Sequence, residues 1–525
     1  MKKLPLGIQT FSKIIEGNYI YIDKTREMLD LINGGQYFFL SRPRRFGKSL
    51  LLSTLKEIFS GNKELFAGLY IYDKIQWETY PVIHLDFSLI PRDTDKRLKQ
   101  GLIDKLRDTA LRYNIELLRK DYDTSFNELI GRLSEKFNKK AVILIDEYDK
   151  PIIDHITDRE KANKNREILR DFYTMLKGSD EYIKFVLLTG VSKFSKVSIF
   201  SGLNNLMDIT LDNRFSTMLG ITEEELLKYF PENIRELSIK DEVTEERILK
   251  DIKYWYNGYS WDGVNFLYNP FSLLNLFATQ KFGNFWFKTG TPTFLMNLLR
   301  EYKIEIPEIE NVTVSEYILD SYDIEDLDIN SLLLQTGYLT IKEIIKHNRL
   351  ITYKLSYPNF EVKESLINYI LADFLNTQVP VIQPLHIRMA DALKNDNLEE
   401  FSKLIKSLMA GIPSKLHLKR EAYYQSVFYM ILSLMGVRID LELLTDKGIV
   451  DGVIEFLDKI YVIEFKYGKS GSKMNKLLDD AIKQIKERKY YEKYLKTEKS
   501  IILLGAGFIG KSIGFKIEKL IPGGK

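Results

Sequence analysis

The sequence predicts an α/β protein in three parts: a parallel-sheet part at 1–218, a mostly helical middle at 219–410 and a compact α/β part at 411–525. Three observations support this. Between 35 and 210, apolar runs alternate with segments long enough for crossover helices, as in a parallel sheet. Aromatic-rich helical segments follow. The third part then shows a helix, three or four strands, a lysine-rich helix and a last strand.

The individual elements are placed by their apolar patterns. Four buried strands are expected in the first part, in "QYFFLS", "PVIHLDFS", "AVILIDEYD" and "KFVLLTGVS". The middle contains a predicted β-hairpin in "YLTIKEIIKHNRLITYKLSYPN", and one interpretation of its surroundings is a winged-helix-like unit. In the last part, strands are expected at 437–466 and in "SIILLGAGF", with helices at 418–436 and 474–495.

Composition excludes several kinds of protein. No apolar run in the 525 residues approaches the roughly 18 needed to span a bilayer, and the basic start "MKKLPLGIQTFSKIIEG" has no apolar segment behind it. A cytoplasmic protein without a membrane partner is therefore expected. The chain has no cysteine and five scattered histidines, so any metal is expected to be a hard cation such as Mg²⁺ on carboxylates. The net charge of +3 identifies no partner, and the oligomeric state stays open.

Two stretches compete as a phosphate-binding loop. "GAGFIGKS" at 505–512 fits G-x-x-x-x-G-K-[ST] in every letter, whereas "SRPRRFGKS" at 41–49 has Arg42 where the first glycine belongs. A phosphate loop also needs a strand before it and a helix after it, because the helix N-terminus attracts the anion. "YFFL" and "LLLSTLKEIF" supply both for the first stretch, while the residues after Ser512 alternate as in a strand. The first stretch is predicted to bind nucleotide, and the second is predicted to be a chance match.

The residues of the first loop have expected roles. Lys48 is predicted to meet the β- and γ-phosphates of ATP, and Ser49 to hold Mg²⁺. Pro43 can rigidify the turn, while Arg44 and Arg45 bring positive charge near the triphosphate. The predicted nucleotide-binding loop comprises Arg42, Pro43, Arg44, Arg45, Phe46, Gly47, Lys48 and Ser49. The alternative is a solvated basic turn before a helix.

An acidic motif complements this loop. The apolar run of "AVILIDEYDKPI" leads into Asp146 and Glu147 at the predicted carboxyl end of a strand. Phosphoryl transfer needs one carboxylate on the metal and one on the attacking water, which suits Asp146 and Glu147 respectively. The alternative is a strand that ends in two solvated acids. The end of the following strand offers Thr189, Ser192 or Lys193 as a γ-phosphate sensor.

The third part contains a candidate metal-dependent hydrolytic site. In "GIVDGVIEFLDKIYVIEFKYGKS", Asp451 lies on one predicted strand, and Glu464 and Lys466 lie on one face of the next. A phosphodiesterase needs carboxylates to hold Mg²⁺ and a lysine to orient water or neutralise charge, so these three are the predicted catalytic residues, with the two acids as metal ligands. The alternative is an ordinary polar hairpin face. Ten Lys or Arg against five Asp or Glu at 467–500 predict contact with DNA or RNA, or else a solvated helix.

These motifs resemble those of a known family, the bacterial and archaeal AAA-ATPase-like proteins fused to a C-terminal PD-(D/E)XK nuclease-like domain. The resemblance covers nearly the whole chain. The stretches that carry it are "YIDKT" at 21–25, "RPRRFGKS" at 42–49, "LIDEYDKPI" at 144–152, "TGVSKFSKVSIFSGLNNLMDIT" at 189–210, "WYNGY" at 255–259, "YNPFSLL" at 268–274 and "TGTP" at 289–292. It implies an N-terminal P-loop ATPase domain and a C-terminal restriction-endonuclease-like domain.

The resemblance also bears on single residues of the first domain. It implies that Arg42 is no defect, because the family's loop has the form R-P-R-R-F-G-K-[ST]. It further suggests that the segment around Asp23 lies near the adenine pocket.

In the C-terminal domain the resemblance suggests Glu421 as a third acid, with Gln484 and Tyr490 around the core. Two positions depart from the family pattern, since Ile449 replaces an arginine and Gln425 replaces a histidine. Both departures bear on cleavage, and neither removes a metal carboxylate.

Two functions follow from these motifs. One is Mg²⁺-dependent ATP binding and hydrolysis coupled to nucleic-acid cleavage by the C-terminal domain. The other is an ATP-dependent regulatory switch whose C-terminal domain binds nucleic acid or protein without cutting. The nuclease requires Asp451, Glu464 and Lys466 to converge on one metal, whereas the switch tolerates their separation. Arg214 is a candidate arginine finger.

Overall fold

The structure is a computed structural model of the chain. It describes residues 2–193, 203, 205–286, 312–316, 328–348, 350–374, 378–410, 428, 430–432, 434, 438–445, 448–456, 458–469, 471–495, 497–509 and 512–520. The described residues form two compact units, one ending at Val362 and the other beginning at Lys363. The domain boundaries expected near 218 and 410 stay predictions.

The N-terminal part of the first unit contains a parallel sheet, whose order within the described residues is β2-β3-β4-β1-β5. Its strands are β1 (Tyr37–Ser41), β2 (Val82–Asp86), β3 (Ala141–Asp146), β4 (Ile183–Gly190) and β5 (Met207–Asp208). The four predicted strands and their parallel arrangement are confirmed. Because β4 pairs with both β1 and β3, the carboxyl ends of these three strands lie at one edge of the sheet.

Helices alternate with these strands. They are α1 (Phe11–Glu16), α2 (Thr25–Gly34), α3 (Lys48–Phe59), α4 (Asp95–Arg112), α5 (Tyr122–Phe137), α6 (Lys150–Ile153) and α7 (Arg159–Gly178). Leu51, Leu55 and Ile58 recur at helical spacing on α3 and share a buried core with Phe38 and Leu40 of β1. This packing holds α3 against β1, the strand that precedes it in the chain.

The rest of the first unit is mainly helical, as predicted. Its helices are α8 (Glu223–Tyr229), α9 (Pro231–Lys240), α10 (Glu245–Tyr256), α11 (Pro270–Thr279) and α12 (Ile329–Thr336). Its strands are β6 (Asn257–Tyr259), β7 (Leu267–Tyr268), β8 (Val312–Ser315), β9 (Thr340–His347) and β10 (Leu350–Ser356). The predicted hairpin is confirmed as β9 and β10, and β8 adds an antiparallel neighbour to β10. The winged-helix interpretation stays a prediction.

The second unit combines helices with a mixed sheet. Helix α13 (Phe360–Phe374) begins in the first unit and continues into the second. The following elements are α14 (Val379–Lys394), α15 (Leu398–Ala410), β11 (Arg438–Thr445), β12 (Gly448–Phe456), β13 (Lys459–Gly468), α16 (Met474–Arg488), β14 (Ser500–Ile509) and β15 (Ser512–Leu520). The described strands lie in sequence order, with only β13 and β14 parallel, and α16 connects those two. No described helix has the length and apolar character to cross a membrane.

Candidate active sites

The first candidate site is the turn between β1 and α3. Helix α3 begins at Lys48, and Gly47 precedes it in a left-handed conformation with φ 97°. Arg45 is also left-handed, with φ 66°. These two residues bring the chain from the strand end to the helix N-terminus, where unpaired backbone N–H groups and the helix dipole favour an anion. The predicted strand, loop and helix are thus confirmed.

Lys48 lies buried within this loop. Its Nζ donates hydrogen bonds to the carbonyl oxygens of Arg42 at 2.8 Å and Pro43 at 2.9 Å. Burial lowers the pKa of Lys48, whereas the carboxylates of Asp146 and Glu147 favour its charged form. The ammonium group therefore lies close enough to both predicted acids for their charges to interact.

Asp146 is the last residue of β3, and Glu147 follows it with φ 51°. The Oδ1 atom of Asp146 accepts hydrogen bonds from Thr189 Oγ1 at 2.7 Å and from the Glu147 N–H at 3.1 Å. Within the described residues the hydrogen bonds of Asp146 use Oδ1, which leaves Oδ2 for a metal ion or a water. Burial raises the pKa of Glu147, and Lys150 and Lys48 oppose this shift. A raised pKa suits a carboxylate that accepts a proton.

Asp149, the third acid of "DEYD", follows the two predicted acids closely in the chain, and the sequence pattern alone gives it no role. Its buried Oδ2 accepts hydrogen bonds from the N–H groups of Val191 at 2.9 Å and Ser192 at 2.7 Å, and from the Ser192 hydroxyl at 2.8 Å. Asp149 therefore joins the segment after β3 to the segment after β4. This connection holds Asp146 beside Thr189.

The three sensor candidates all contact protein groups. The Thr189 hydroxyl bonds to Asp146, and the Ser192 hydroxyl bonds to Asp149. Lys193 Nζ lies 3.0 Å from a carboxylate oxygen of Asp208 on β5, and both side chains are buried. Of the three, Thr189 touches the predicted metal ligand directly. Their roles as γ-phosphate sensors stay predictions.

Arg42 is buried and turned into the fold. Its guanidinium donates to the carbonyl oxygens of Ser41 at 2.9 Å, Thr210 at 2.7 Å and Phe215 at 3.3 Å. The same group lies 4.1 Å from the ring centre of Trp261. The side chain therefore anchors the loop, and the Arg42 carbonyl is the part that meets Lys48.

The next loop residues pack on aromatic rings of the middle region. The Arg45 guanidinium lies 3.7 Å from the ring centre of Phe271, so its charge faces that ring. Phe46 is buried and packs edge-on against Tyr259 and Trp261, with ring centres 4.7 and 5.3 Å away. The side chains of residues 42, 45 and 46 thus fix the loop.

Asp23 and Arg214 are also held by neighbouring residues. The Asp23 carboxylate accepts hydrogen bonds from the Thr25 hydroxyl at 2.6 Å and the Tyr70 N–H at 2.7 Å. The Arg214 guanidinium is exposed and lies 2.6 Å from an Asp212 oxygen. The adenine-pocket and arginine-finger roles of these residues stay predictions.

The second candidate site lies where β12 meets β13. Asp451 precedes Gly452, which pairs with Ile463. The Oδ2 atom of Asp451 accepts a hydrogen bond from the Phe465 N–H at 2.7 Å. Phe465 stands between Glu464 and Lys466 in the chain, so the Asp451 carboxylate lies beside the strand segment that carries both residues.

Lys466 links the acids to the following helix. Its Nζ donates to Glu464 Oε1 at 2.9 Å and to Gln484 Oε1 on α16 at 2.8 Å. Glu464 itself is buried. Gln484, suggested by the family resemblance, therefore lies at the site, whereas Tyr490 lies in the apolar core with Val462 and Ile485.

Two further predicted residues of this site, Glu421 and Gln425, lie outside the described residues, and Ile449 lies on β12. Among the described residues, no group of three or more His, Cys, Asp or Glu is placed to hold a metal ion. The described site therefore offers the carboxylates of Asp451 and Glu464, hard oxygen donors of the kind that Mg²⁺ takes.

Several lysines predicted to contact a phosphate backbone form surface ion pairs. Lys483 lies 3.6 Å from Glu487, and Lys499 lies 3.3 Å from Glu455. Such exposed pairs fit the alternative of a solvated helix. Contact with DNA or RNA stays a prediction.

The glycine-rich stretch at 505–512 forms strand ends in the second unit. Ser512 begins β15 and pairs with Ile509, so the predicted absence of a helix after this stretch is confirmed. Lys511 lies outside the described residues. A Cβ at Gly505 would lie 3.1 Å from both Ala481 Cβ and Leu478 O of α16. The absence of a Cβ at Gly505 thus allows α16 to pack closely on β14.

The fold and site geometry define a protein with a P-loop ATPase-like unit and a PD-(D/E)XK-like carboxylate and lysine site. Residues 5–200 match the family described as "Predicted AAA-ATPase", and residues 419–518 match the "PD-(D/E)XK nuclease superfamily". A protein of Azotobacter chroococcum mcd 1 named "Uncharacterized protein in vnfD 5'region" is 38% identical over 531 residues, 99% of each chain. The chain belongs to the family of AAA-ATPase-like proteins with a C-terminal PD-(D/E)XK nuclease-superfamily domain.

Proposed function

We propose that this protein binds and hydrolyses ATP with Mg²⁺, and that this activity is coupled to nucleic-acid cleavage by its C-terminal domain. The observation that carries the proposal is the position of Lys48. Lys48 lies inside a loop at the N-terminus of α3. The carboxylates of Asp146, which ends β3, and Glu147, which follows it, favour the charged form of Lys48. A buried ammonium group, a helix N-terminus and two carboxylates are the set that a nucleoside triphosphate with a divalent cation requires.

The proposed ATPase chemistry assigns one task to each residue. The Lys48 ammonium group would move away from the loop carbonyl oxygens that it contacts and would bind the phosphates instead. Ser49 and Asp146 would hold Mg²⁺, which neutralises phosphate charge when bound. Glu147 would accept the proton of the attacking water, and Thr189 would keep Asp146 in place through its hydrogen bond.

The proposed nuclease chemistry uses the second site. Asp451 and Glu464 would hold Mg²⁺, which when bound supplies positive charge beside the scissile phosphate. Lys466 would orient the attacking water or neutralise charge that develops on the phosphate. Gln484 contacts Lys466 and would fix its ammonium group in the site.

The proposal is tested by incubating the full chain with single- and double-stranded DNA and RNA, with Mg²⁺ or Mn²⁺, in the presence and absence of ATP. Hydrolysis of ATP together with metal-dependent cleavage that changes with ATP is the expected result, and the substrate cut distinguishes DNA from RNA. ATP hydrolysis without cleavage of any substrate would contradict the nuclease and support the switch. A chain that neither binds nor hydrolyses ATP would contradict both.

A further inference from the structure

The nucleotide loop has an unusual requirement for outside support. It carries arginine, proline and phenylalanine at 42–46, where flexible glycines would otherwise ease the turn. Arg45 nevertheless adopts a left-handed backbone conformation, which is unfavourable for a residue with a Cβ. Such a conformation persists when the surrounding structure holds it in place.

One support is a hydrogen bond from far along the chain. The indole Nε1 of Trp286 donates to the carbonyl oxygen of Arg44 at 3.0 Å. This carbonyl belongs to the peptide group that also carries the Arg45 N–H. Since a trans peptide group is planar, fixing the carbonyl direction fixes the N–H direction on the opposite side. Trp286 therefore sets the orientation of a loop peptide group.

Trp286 is held in turn by a buried carboxylate. The Oε1 atom of Glu361 accepts a hydrogen bond from the Trp286 N–H at 2.7 Å, and Oε2 accepts one from the Ser272 hydroxyl at 2.7 Å. Glu361 is buried near the start of α13, and Ser272 is buried in α11. Residues of α11 and α13 thus hold the backbone of Trp286, whose side chain contacts the loop.

We propose that Trp286 and Glu361 are positioning residues of the nucleotide site: Trp286 orients the Arg44 peptide group for phosphate binding, and Glu361 holds Trp286. This inference rests on the proposed ATPase function. According to this inference, residues beyond 218 contribute to the shape of the nucleotide site, together with β1, the loop and α3. A loop with arginine, proline and phenylalanine at 42–46 can then adopt the shape that phosphate binding needs.

The chain offers a matched control for the indole hydrogen bond. Trp77 Nε1 donates to the Tyr72 carbonyl at 3.0 Å, the same kind of bond at the same length, but outside the loop. Trp286→Phe and Trp77→Phe each keep an aromatic ring and remove one indole donor. If loss of an indole hydrogen bond lowers the stability of the protein in general, both variants should be less stable than the wild type.

The test compares MgATP binding by calorimetry, steady-state hydrolysis and thermal melting for the wild-type full chain and both variants. Loss of a hydrogen bond of this kind should weaken ATP binding by roughly fivefold to tenfold in Trp286→Phe. Trp77→Phe should bind ATP as the wild type does. Equal affinity in Trp286→Phe and wild type would overturn the inference, as would equal losses in both variants. No ATP binding by the wild type would instead refute the proposed function.

A second variant keeps the proposal testable if Trp286→Phe does not fold. Ser272→Ala removes one hydrogen bond to Glu361 and leaves the loop and Trp286 unchanged in sequence. We expect it to weaken ATP binding by about twofold to threefold, because Glu361 is less firmly fixed. Wild-type affinity in a folded Ser272→Ala protein would count against Glu361 as a positioning residue.

Discussion

Glu147 stands at the end of β3 next to the loop that contains Lys48, where a proton acceptor for the attacking water is needed. Glu147→Gln keeps the shape of the side chain and removes the carboxylate. We expect kcat for ATP hydrolysis to fall by roughly a hundredfold or more while ATP affinity stays near normal. Calorimetry and steady-state kinetics measure the two effects separately. Unchanged turnover would show that another residue accepts the proton.

The pH dependence of hydrolysis should also report Glu147. Only the deprotonated carboxylate can accept a proton, and burial raises its pKa above the ordinary 4.5. Activity should therefore be complete above this raised pKa and be lost as the pH falls through it. A kcat profile with an acid limb above 4.5 is expected for the wild type. The residual activity of Glu147→Gln should lack that limb, and its persistence there would contradict the assignment.

At the residue scale, what the sequence predicts depends on how local the contacts are. Lys48, Asp146 and Glu147 follow from the order of strand, loop and acid, because parallel strands bring their carboxyl ends together. Asp149 and Trp286 make hydrogen bonds to residues 42 or more positions away, and no local pattern indicates such contacts. The buried side chain of Arg42 likewise depends on Trp261, which only the folded chain places beside it.

At the scale of elements, β14 and α16 require a small residue where they cross. Gly505→Ala would place a Cβ 3.1 Å from the backbone oxygen of Leu478, and a helix backbone cannot move aside easily. A loss of ~1–3 kcal/mol in stability is expected from such overpacking. Gly131→Ala is the control, since nothing lies within 4 Å of its Cβ position inside α5.

Thermal melting followed by circular dichroism measures this difference. Gly505→Ala should melt several degrees below Gly131→Ala, while ATP binding is unchanged in both. Equal melting temperatures would contradict the packing role of Gly505. Loss of ATP binding in Gly505→Ala would favour a nucleotide role for the second glycine-rich stretch.

The elements predicted from sequence are those with enough residues to show a period. Strands such as β3 and β4 and the hairpin of β9 and β10 have long apolar or alternating runs. β5 has two residues and β8 has four, too few for a pattern, so their pairing is visible only in the folded chain. The stretch at 505–512 fits the phosphate-loop pattern in every letter, yet strand β15 and not a helix follows it.

At the scale of the whole molecule, the two candidate sites lie in separate compact units. Asp451→Ala should abolish nucleic-acid cleavage and weaken divalent-metal binding, because it removes one of two predicted metal carboxylates. ATP hydrolysis should stay near the wild-type rate, since every residue assigned to it lies in the first unit. Parallel ATPase and nuclease assays measure both. Cleavage that survives Asp451→Ala would contradict this site.

The central claim is that the loop at 42–49 binds ATP although its pattern is imperfect, and that the perfect pattern at 505–512 does not. Calorimetric titration of the full chain with MgATP, comparing wild type, Lys48→Ala and Lys511→Ala, tests this most directly. We expect Lys48→Ala to lose ATP binding and Lys511→Ala to match the wild type, because Lys48 begins a helix and carries a charge that Asp146 at the end of β3 favours, whereas Ser512 begins a strand. Equal loss of binding in both variants, or loss in Lys511→Ala alone, would contradict the claim.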